Sequence, residues 1–120
     1  MKLTDFRKLI KPKSKYKNRR VTYNGINFDS QKEANRYADL VILEQQGVIE
    51  LLQLQPSYVF DFNGTPLTYD SGRLVTYRAD FLYKEKGKWV VEDAKGFRTK
   101  VYKMKKALMA AVHGIEVLET

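Results

Sequence analysis

The sequence predicts an α/β (α+β) domain in which a central mixed β-sheet is flanked by helices. Three observations predict it: helical periodicity in residues 30–46, alternation of apolar and polar residues in three segments between 52 and 95, and a second helical segment at 100–113 before a short strand. Periods of 3.6 and 2.0 residues distinguish helices from strands. The expected order is α-β-β-β-α-β, preceded by an N-terminal hairpin.

Length and composition restrict the class of protein. The chain has 120 residues, 43% of them hydrophobic, which is enough for one domain with its own core. Cysteine is absent, so disulfides, thiol nucleophiles and thiolate metal sites are excluded. The longest apolar run, at 107–112, is far shorter than a membrane span of roughly 20 residues, and the first residues lack the apolar region of a secretory signal. We therefore expect a soluble, cytoplasmic protein that does not bind a membrane and needs no small-molecule cofactor.

The first elements along the chain are a hairpin and a helix. An Asn-Gly dipeptide at 24–25 lies between β-prone residues and is a strong hairpin signal. Ser30 is a suitable helix N-cap, and Glu33, three residues later, completes the pattern of a capping box. Gly47 is placed to end this helix, because glycine readily adopts the left-handed conformation that follows a helix C-terminus.

Three extended segments follow, and we expect their strands to be antiparallel. The first covers 52–62, where Pro56 indicates a bend or a sheet edge. The second alternates over 75–83. The third covers 89–95, after a turn at 85–88.

A second helix is expected at 100–113, followed by a short strand at 115–118. The side chains expected to face the core are Val101, Met104, Leu108 and Ala111. The polar side would then present Lys100, Lys103 and Lys106. A solvated helix face and a surface that contacts phosphates both remain open for these lysines.

The positive charge is concentrated at the N-terminus. The net charge is +8, and residues 1–20 contain nine Lys and Arg against one Asp, so residues 21–120 are balanced. We therefore divide the chain into a basic arm, 1–20, and a single domain, 21–120. Such an arm suits a polyanion, because neutralised phosphates release counterions, although it is also compatible with a solubilising tail. The expected nucleic-acid contacts are Lys15, Lys17, Arg19 and Arg20 in the arm, and Arg98, Lys100, Lys103 and Lys106 before and within the second helix.

Two aspartates and a lysine lie near one end of the predicted hairpin. A turn centred at 86–87 places Asp80 opposite Asp93, with Cβ atoms about 4.5–5.5 Å apart. Asp93 and Lys95 share a face of the strand, whereas Glu92 points to the other face. Two facing carboxylates repel each other unless a cation lies between them, and Mg²⁺ is typically held by one or two carboxylates together with substrate phosphates. The other reading is a solvated ion pair at a strand end.

These residues carry a resemblance to a known family. Asp80 followed by Asp93-Ala94-Lys95, after a helix that carries Glu33, resembles the PD-(D/E)XK nuclease superfamily, and in particular a branch of small phage-encoded proteins. The stretches that match are 15–18, 28–34, 54–56, 77–81 and 92–97. Ala79 stands where the superfamily has a proline, which is not a ligand.

The resemblance implies a restriction-endonuclease-like core and a Mg²⁺-dependent DNA endonuclease, in which Mn²⁺ substitutes for Mg²⁺. It implies that Asp80, Asp93 and Glu33 bind the metal and that Lys95 is catalytic. It also implies a role in phage recombination, replication or DNA processing, within the cytoplasm of the host cell.

Alternatives remain open at this point. Glu33 is explained equally well as part of a capping box. A non-catalytic nucleic-acid-binding module on the same fold would also account for the basic residues, but such a surface gains nothing from two aspartates. A homodimer is possible for an enzyme that cuts both strands.

Overall fold

The computed structural model describes residues 20–120, which form two α-helices and ten short strands. The helices are α1 (Gln31–Gln45) and α2 (Lys100–Leu108), and α2 continues into a π-helical turn, Met109–His113. The strands are β1 (Val21–Tyr23), β2 (Ile26–Phe28), β3 (Ile49–Leu54), β4 (Ser57–Val59), β5 (Asp61–Phe62), β6 (Thr65–Pro66), β7 (Thr76–Arg78), β8 (Phe81–Glu85), β9 (Lys88–Asp93) and β10 (Leu118–Glu119). Among the helices of residues 20–120, none is long and apolar enough to cross a membrane.

The central sheet has the strand order β10-β9-β8-β3. Strand β8 pairs antiparallel with both β3 and β9, and β10 pairs with the other edge of β9 in parallel. The prediction of a mixed α+β fold with a mixed sheet and two helices is therefore confirmed. The N-terminal hairpin, β1–β2, is confirmed as well, with its turn at Asn24-Gly25.

The extended segment predicted at 75–83 is two strands instead of one. Its first part, β7, pairs with β4, and its second part, β8, pairs with β3 and β9. The chain changes partners at Ala79-Asp80, which belong to neither strand. The alternation of apolar and polar residues does not reveal this change, because each part buries every second residue: Val75 and Tyr77 in one apolar cluster, and Phe81 and Tyr83 in another. The β4–β7 and β5–β6 pairs form two separate ribbons between β3 and β8.

Helix α1 begins and ends where the sequence predicts. The Ser30 side chain accepts a hydrogen bond from the backbone N–H of Glu33, which satisfies a donor that the first turn leaves open. After the C-cap, Gly47 has a φ of +79°. A left-handed residue at this position is the usual way in which a helix stops.

Apolar side chains form two clusters, one on each face of the central sheet. On one face, Ala34 and Leu40 of α1 pack against Phe81 and Tyr83 of β8. On the other face, the buried residues of the α2 segment and its neighbours are Phe60, Val75, Tyr77, Ala79, Val91, Tyr102, Met109 and Val117. The two helices therefore lie on opposite sides of the sheet.

The inward face predicted for α2 is confirmed for Leu108, which is half-buried against the core, and is wrong for the other three residues. Val101 and Met104 are 60% and 66% exposed, and Ala111 is exposed as well, whereas Tyr102 and Met109 are buried. A tyrosine buries more surface than a valine, and here its ring packs near Tyr77 of β7. The π-helical turn also changes the angular spacing after residue 108, which simple helical periodicity does not anticipate.

Candidate functional site

A cleft of about 580 Å³ lies where α1 begins, β9 ends and α2 is about to begin. It is lined by Asp29, Ser30, Lys32, Glu33, Asp80, Ala94, Lys95, Gly96, Phe97 and Thr99. Two of these residues, Ser30 and Thr99, are the N-caps of α1 and α2. The positive ends of both helix dipoles therefore lie at the cleft, which favours an anionic ligand there.

Asp80 and Asp93 meet at the end of the β8–β9 hairpin, as the sequence predicts. The predicted register holds up to the last pair of the ladder, Phe81 with Glu92, and one residue beyond it the N–H of Asp80 donates to the Glu92 carbonyl at 3.2 Å. The two carboxyl groups interact with each other. One oxygen of Asp80 also accepts a hydrogen bond from the backbone N–H of Ala94 at 2.7 Å.

The backbone at Asp80 is held by the loop that follows β3. The N–H of Gln55 donates to the Asp80 carbonyl at 2.9 Å, and the N–H of Ala79 donates to the Pro56 carbonyl at 3.1 Å. Gln55 has a left-handed φ of 53°, which turns the chain between β3 and β4. The sequence indicated no role for Gln55-Pro56, and the structure assigns them this positioning of Asp80.

Asp93 is almost completely buried, at 1% exposure, and it is oriented by Tyr77. The Tyr77 hydroxyl donates a hydrogen bond to Asp93 Oδ2. This contact favours the ionised carboxylate and raises the pKa of the tyrosine, which burial also raises. Sequence reasoning missed Tyr77, because β7 pairs with β4 and no local pattern connects it to β9.

Glu33 belongs to the helix cap and to the carboxylate cluster at once. Its side chain is buried, its carboxylate accepts from the N–H of Asp29 at 3.3 Å, and it interacts with Asp80. In an ordinary capping box the carboxylate returns to the N-cap residue itself, so the bond here lies one residue earlier. The capping role and a position beside Asp80, which the sequence leaves as alternatives, therefore occur together.

The pKa values of the three carboxyl groups are all raised. Burial is the main cause for each: it raises the pKa of Asp80 to about 6 and that of Asp93 to about 7, and it raises the pKa of Glu33. Repulsion adds to this effect, chiefly from Glu33 on Asp80 and from Asp80 on Asp93. No ion pair between two residues of 21–120 includes any of the three.

Lys95 is one of two lysines that line the cleft, and the other, Lys32, helps to position it together with Tyr102. Its attraction lowers the pKa of Asp93, which places its charge near that carboxylate. Its Nζ lies 4.5 Å from the centre of the Tyr102 ring. Lys32 Nζ donates to the Lys95 carbonyl at 2.8 Å. The sequence could have indicated Lys32, because a lysine in a first helical turn opposes the helix dipole and needs a partner elsewhere.

Glu92 points to the opposite face of β9, as predicted, and its charge is compensated there. Arg36 binds both of its oxygens, at 2.6 and 3.1 Å. The Tyr83 hydroxyl donates to it at 2.6 Å and the Thr120 hydroxyl at 2.9 Å. Strand β9 therefore ends in two adjacent buried acids. Glu92 forms an ion pair with the Arg36 guanidinium, whereas Asp93 forms no ion pair with any of residues 21–120.

The predicted nucleic-acid contacts fall into three groups. Arg20, Lys100 and Lys103 are exposed. Arg98 and Lys106 both form ion pairs with Glu119, at 3.4 and 3.1 Å, so part of their charge is used within the fold. Lys15, Lys17 and Arg19 lie outside the described residues.

The donor set of the cleft suits a hard cation. In residues 20–120, no group of three or more His, Asp or Glu side chains is placed to hold a metal ion. Mg²⁺ does not require such a group, because it is usually held by one or two carboxylates with substrate phosphates and water. Asp80 and Asp93, whose carboxyl groups are adjacent and form no ion pair within residues 21–120, could therefore supply the protein ligands.

Comparison with known proteins identifies the family and leaves the activity open. No curated protein and no solved structure matches the chain. The sequence model of a family described as "Protein of unknown function (DUF1064)" matches residues 13–116, a range that includes Glu33, Asp80, Asp93 and Lys95. The chain belongs to the DUF1064 family.

Proposed function

We propose that this member of the DUF1064 family is a Mg²⁺-dependent endonuclease that hydrolyses phosphodiester bonds in DNA. The observation that carries the proposal is the pair Asp80 and Asp93: Asp80 is half-buried and lines the cleft together with Lys95, and its carboxyl group contacts that of Asp93, which is buried and is not among the lining residues. Neither aspartate has an ion pair within residues 21–120, whereas Glu92 is paired with Arg36. Burial without an ion pair is unfavourable for a carboxylate, and the nearby charge of Lys95 offsets this only in part for Asp93, whose pKa stays raised. Two adjacent carboxyl groups beside a cleft are therefore best explained by a ligand cation.

The same observation weighs against the alternative of a non-catalytic binding module. A surface that only binds phosphates would be stabilised by replacing either aspartate with a neutral residue, because buried carboxylates repel both each other and the DNA. A nuclease needs these groups in spite of their effect on stability. The described part of the basic arm, Arg20, does not distinguish the two functions.

Each residue of the cleft then has a role. Asp80 and Asp93 hold the cation, Glu33 supports it, and Tyr77 and the Ala94 N–H fix the orientation of the two aspartates. When bound, Mg²⁺ supplies Lewis acidity: it lowers the pKa of water and offsets charge on the phosphate. Lys95 stabilises the negative charge that develops on the phosphate as water attacks phosphorus and the sugar oxygen departs in line.

The order of the elements also supports the proposal. If the strands between β3 and β8 are left out, α1, β3, β8, β9, α2 and β10 have the α-β-β-β-α-β order that the resemblance implies for a restriction-endonuclease-like core. The two ribbons between β3 and β8 are additions to that order. The carboxylates lie at the end of the central hairpin, and the N-termini of both helices lie beside them.

A nicking assay tests the proposal. Supercoiled plasmid, single-stranded DNA and branched oligonucleotides are incubated with the full chain and Mg²⁺, with Mn²⁺, and with EDTA. We expect cleavage with either metal and none with EDTA. Asp93→Asn should lower the rate at least about 100-fold, since it removes a metal ligand.

Asp61→Asn is the matched control, because Asp61 is an exposed aspartate of β5 that does not line the cleft. It should cleave at the wild-type rate when purified in the same way. Cleavage by the Asp93→Asn protein at the wild-type rate would identify a contaminating nuclease and overturn the assignment. Absence of cleavage on all three DNA substrates, with DNA binding intact, would favour the binding module.

A further inference from the structure

Three apolar side chains are strongly exposed beside the cleft. Phe97 is 82% exposed, and Val101 and Met104 are 60% and 66% exposed. Residues three and four positions apart lie on the same side of a helix, so Val101 and Met104 continue one surface along α2 from the loop that carries Phe97. We call these three residues the apolar rim. Exposure of this extent is unfavourable in water and marks a surface that contacts something else.

The apolar rim is continuous with the proposed active site. Phe97 lines the same cleft as Glu33, Asp80 and Lys95. It lies two residues beyond Lys95, in the loop between β9 and α2. A molecule whose phosphate occupies the cleft must therefore pass beside the Phe97 ring.

The charge around the apolar rim fits a nucleic acid. Lys100 and Lys103 are exposed on the same outward side of α2 as Met104. Residues 94–115 contain no aspartate or glutamate, so no carboxylate of this segment opposes a polyanion. An aromatic ring next to lysines is the combination with which proteins hold single strands: the lysines bind phosphates and the ring stacks on a base.

We propose that the Phe97 ring stacks on an unpaired base next to the phosphate in the cleft, with Val101 and Met104 extending the contact, so that the site takes DNA strands whose bases are exposed. In an intact duplex, the neighbouring base pairs cover the faces of each base, and the ring has no face on which to stack. The substrate class is therefore single-stranded DNA or the single-stranded part of a fork or flap. This inference rests on the proposed function for its phosphate site, but it predicts a binding preference that is measurable without cleavage.

Fluorescence anisotropy in EDTA tests the preference. The probes are a fluorescein-labelled single strand, the blunt duplex of the same length and a fork with the same sequence. Phe97→Ala should weaken binding to the single strand and the fork at least about fivefold, the loss expected for one base–aromatic stack. Its affinity for the blunt duplex should not change. Phe97→Trp should retain the preference, because it keeps an aromatic face.

Two further measurements make the result specific. Phe62→Ala removes a phenylalanine that is 49% exposed on β5, away from the cleft, and it should leave all three affinities unchanged. A single strand that contains 2-aminopurine should lose fluorescence when the wild type binds, because stacking quenches this base. The Phe97→Ala protein should lack that quenching.

The outcomes separate this inference from the proposed function. The base-stacking role is overturned if Phe97→Ala binds the fork as tightly as the wild type does. It is also overturned if the variant loses the same affinity for the fork as for the duplex, even if cleavage is found. A dimer that Phe97→Ala converts to a monomer, with DNA preference unchanged, would mean that a second copy covers the apolar rim. A preference that depends on Phe97 without cleavage in Mg²⁺ supports the base contact and removes the nuclease assignment.

Discussion

Replacing Asp93 with asparagine should make the metal-free protein more stable at high pH while it abolishes cleavage. Burial and the neighbouring Asp80 raise the pKa of Asp93 from 3.8 to about 7, so the folded state holds a proton that the unfolded chain releases at lower pH. Each pKa unit of difference between the folded and unfolded states corresponds to about 1.4 kcal/mol. The ionised Asp93 therefore lowers the free energy of unfolding by at most about 4 kcal/mol at pH 8. Asparagine has no charge to bury, and its oxygen can still accept the hydrogen bond from Tyr77.

The sign and the pH range follow from the raised pKa. A carboxyl whose pKa is higher in the folded state stabilises the fold least at high pH, and its penalty disappears below the unfolded value. Because the amide of asparagine is a polar group that is itself unfavourable to bury, we expect about half of the maximum, roughly 2 kcal/mol or about 6–10 °C in Tm at pH 8. At pH 4.5 the difference should shrink to below about 1 kcal/mol.

Thermal unfolding in EDTA at both pH values measures this effect. Asp61→Asn, at an exposed aspartate, should have the wild-type Tm at pH 8. Adding Mg²⁺ at pH 8 should raise the Tm of the wild type and have little effect on the Asp93→Asn protein. If that variant melts at or below the wild-type temperature at pH 8, or if the difference is the same at pH 4.5, the buried-charge reasoning is wrong.

Three other predictions follow from the contacts of the cleft. Tyr77→Phe removes a hydrogen bond that favours the ionised aspartate, so the acidic limb of the pH profile of kcat/KM should move up by about 0.5–1 unit; an unmoved limb would contradict the contact. Lys95→Met should lower kcat at least about 100-fold while Mg²⁺ binding, measured by calorimetry, is kept or strengthened, since a nearby positive charge is lost; weaker Mg²⁺ binding would indicate a structural role. Lys100→Ala combined with Lys103→Ala should reduce the slope of log K against log salt for DNA by about 1–2. Lys88→Ala, at the start of β9 and outside the cleft, should leave that slope unchanged.

The parts of the site that the sequence predicts are those fixed by local geometry. The register between β8 and β9, whose ladder ends beside Asp80 and Asp93, depends only on a turn at Lys86-Gly87 and on the period of two residues in a strand. The start of α1 depends on Ser30, which caps the helix within three residues. In such cases the covalent chain itself limits the possible partners.

The parts that the sequence does not predict depend on contacts between distant segments. Tyr77 reaches Asp93 only because the chain changes partners after β7, and the outward face of α2 depends on Tyr102 packing near Tyr77. Val101 fits the apolar period of a helix as well as Tyr102 does, so periodicity cannot choose between them. Burial of the larger aromatic ring decides the outcome, and that is a property of the assembled core.

The hydrogen bond between Glu33 and the amide of Asp29 connects the beginning of α1 to the carboxylate cluster. Any change of charge at the cluster, whether by a proton or by a cation, alters how strongly that amide is held. The exchange rate and the chemical shift of the Asp29 N–H are therefore a built-in reporter for occupancy of the cleft, which can be followed by NMR without DNA and without turnover.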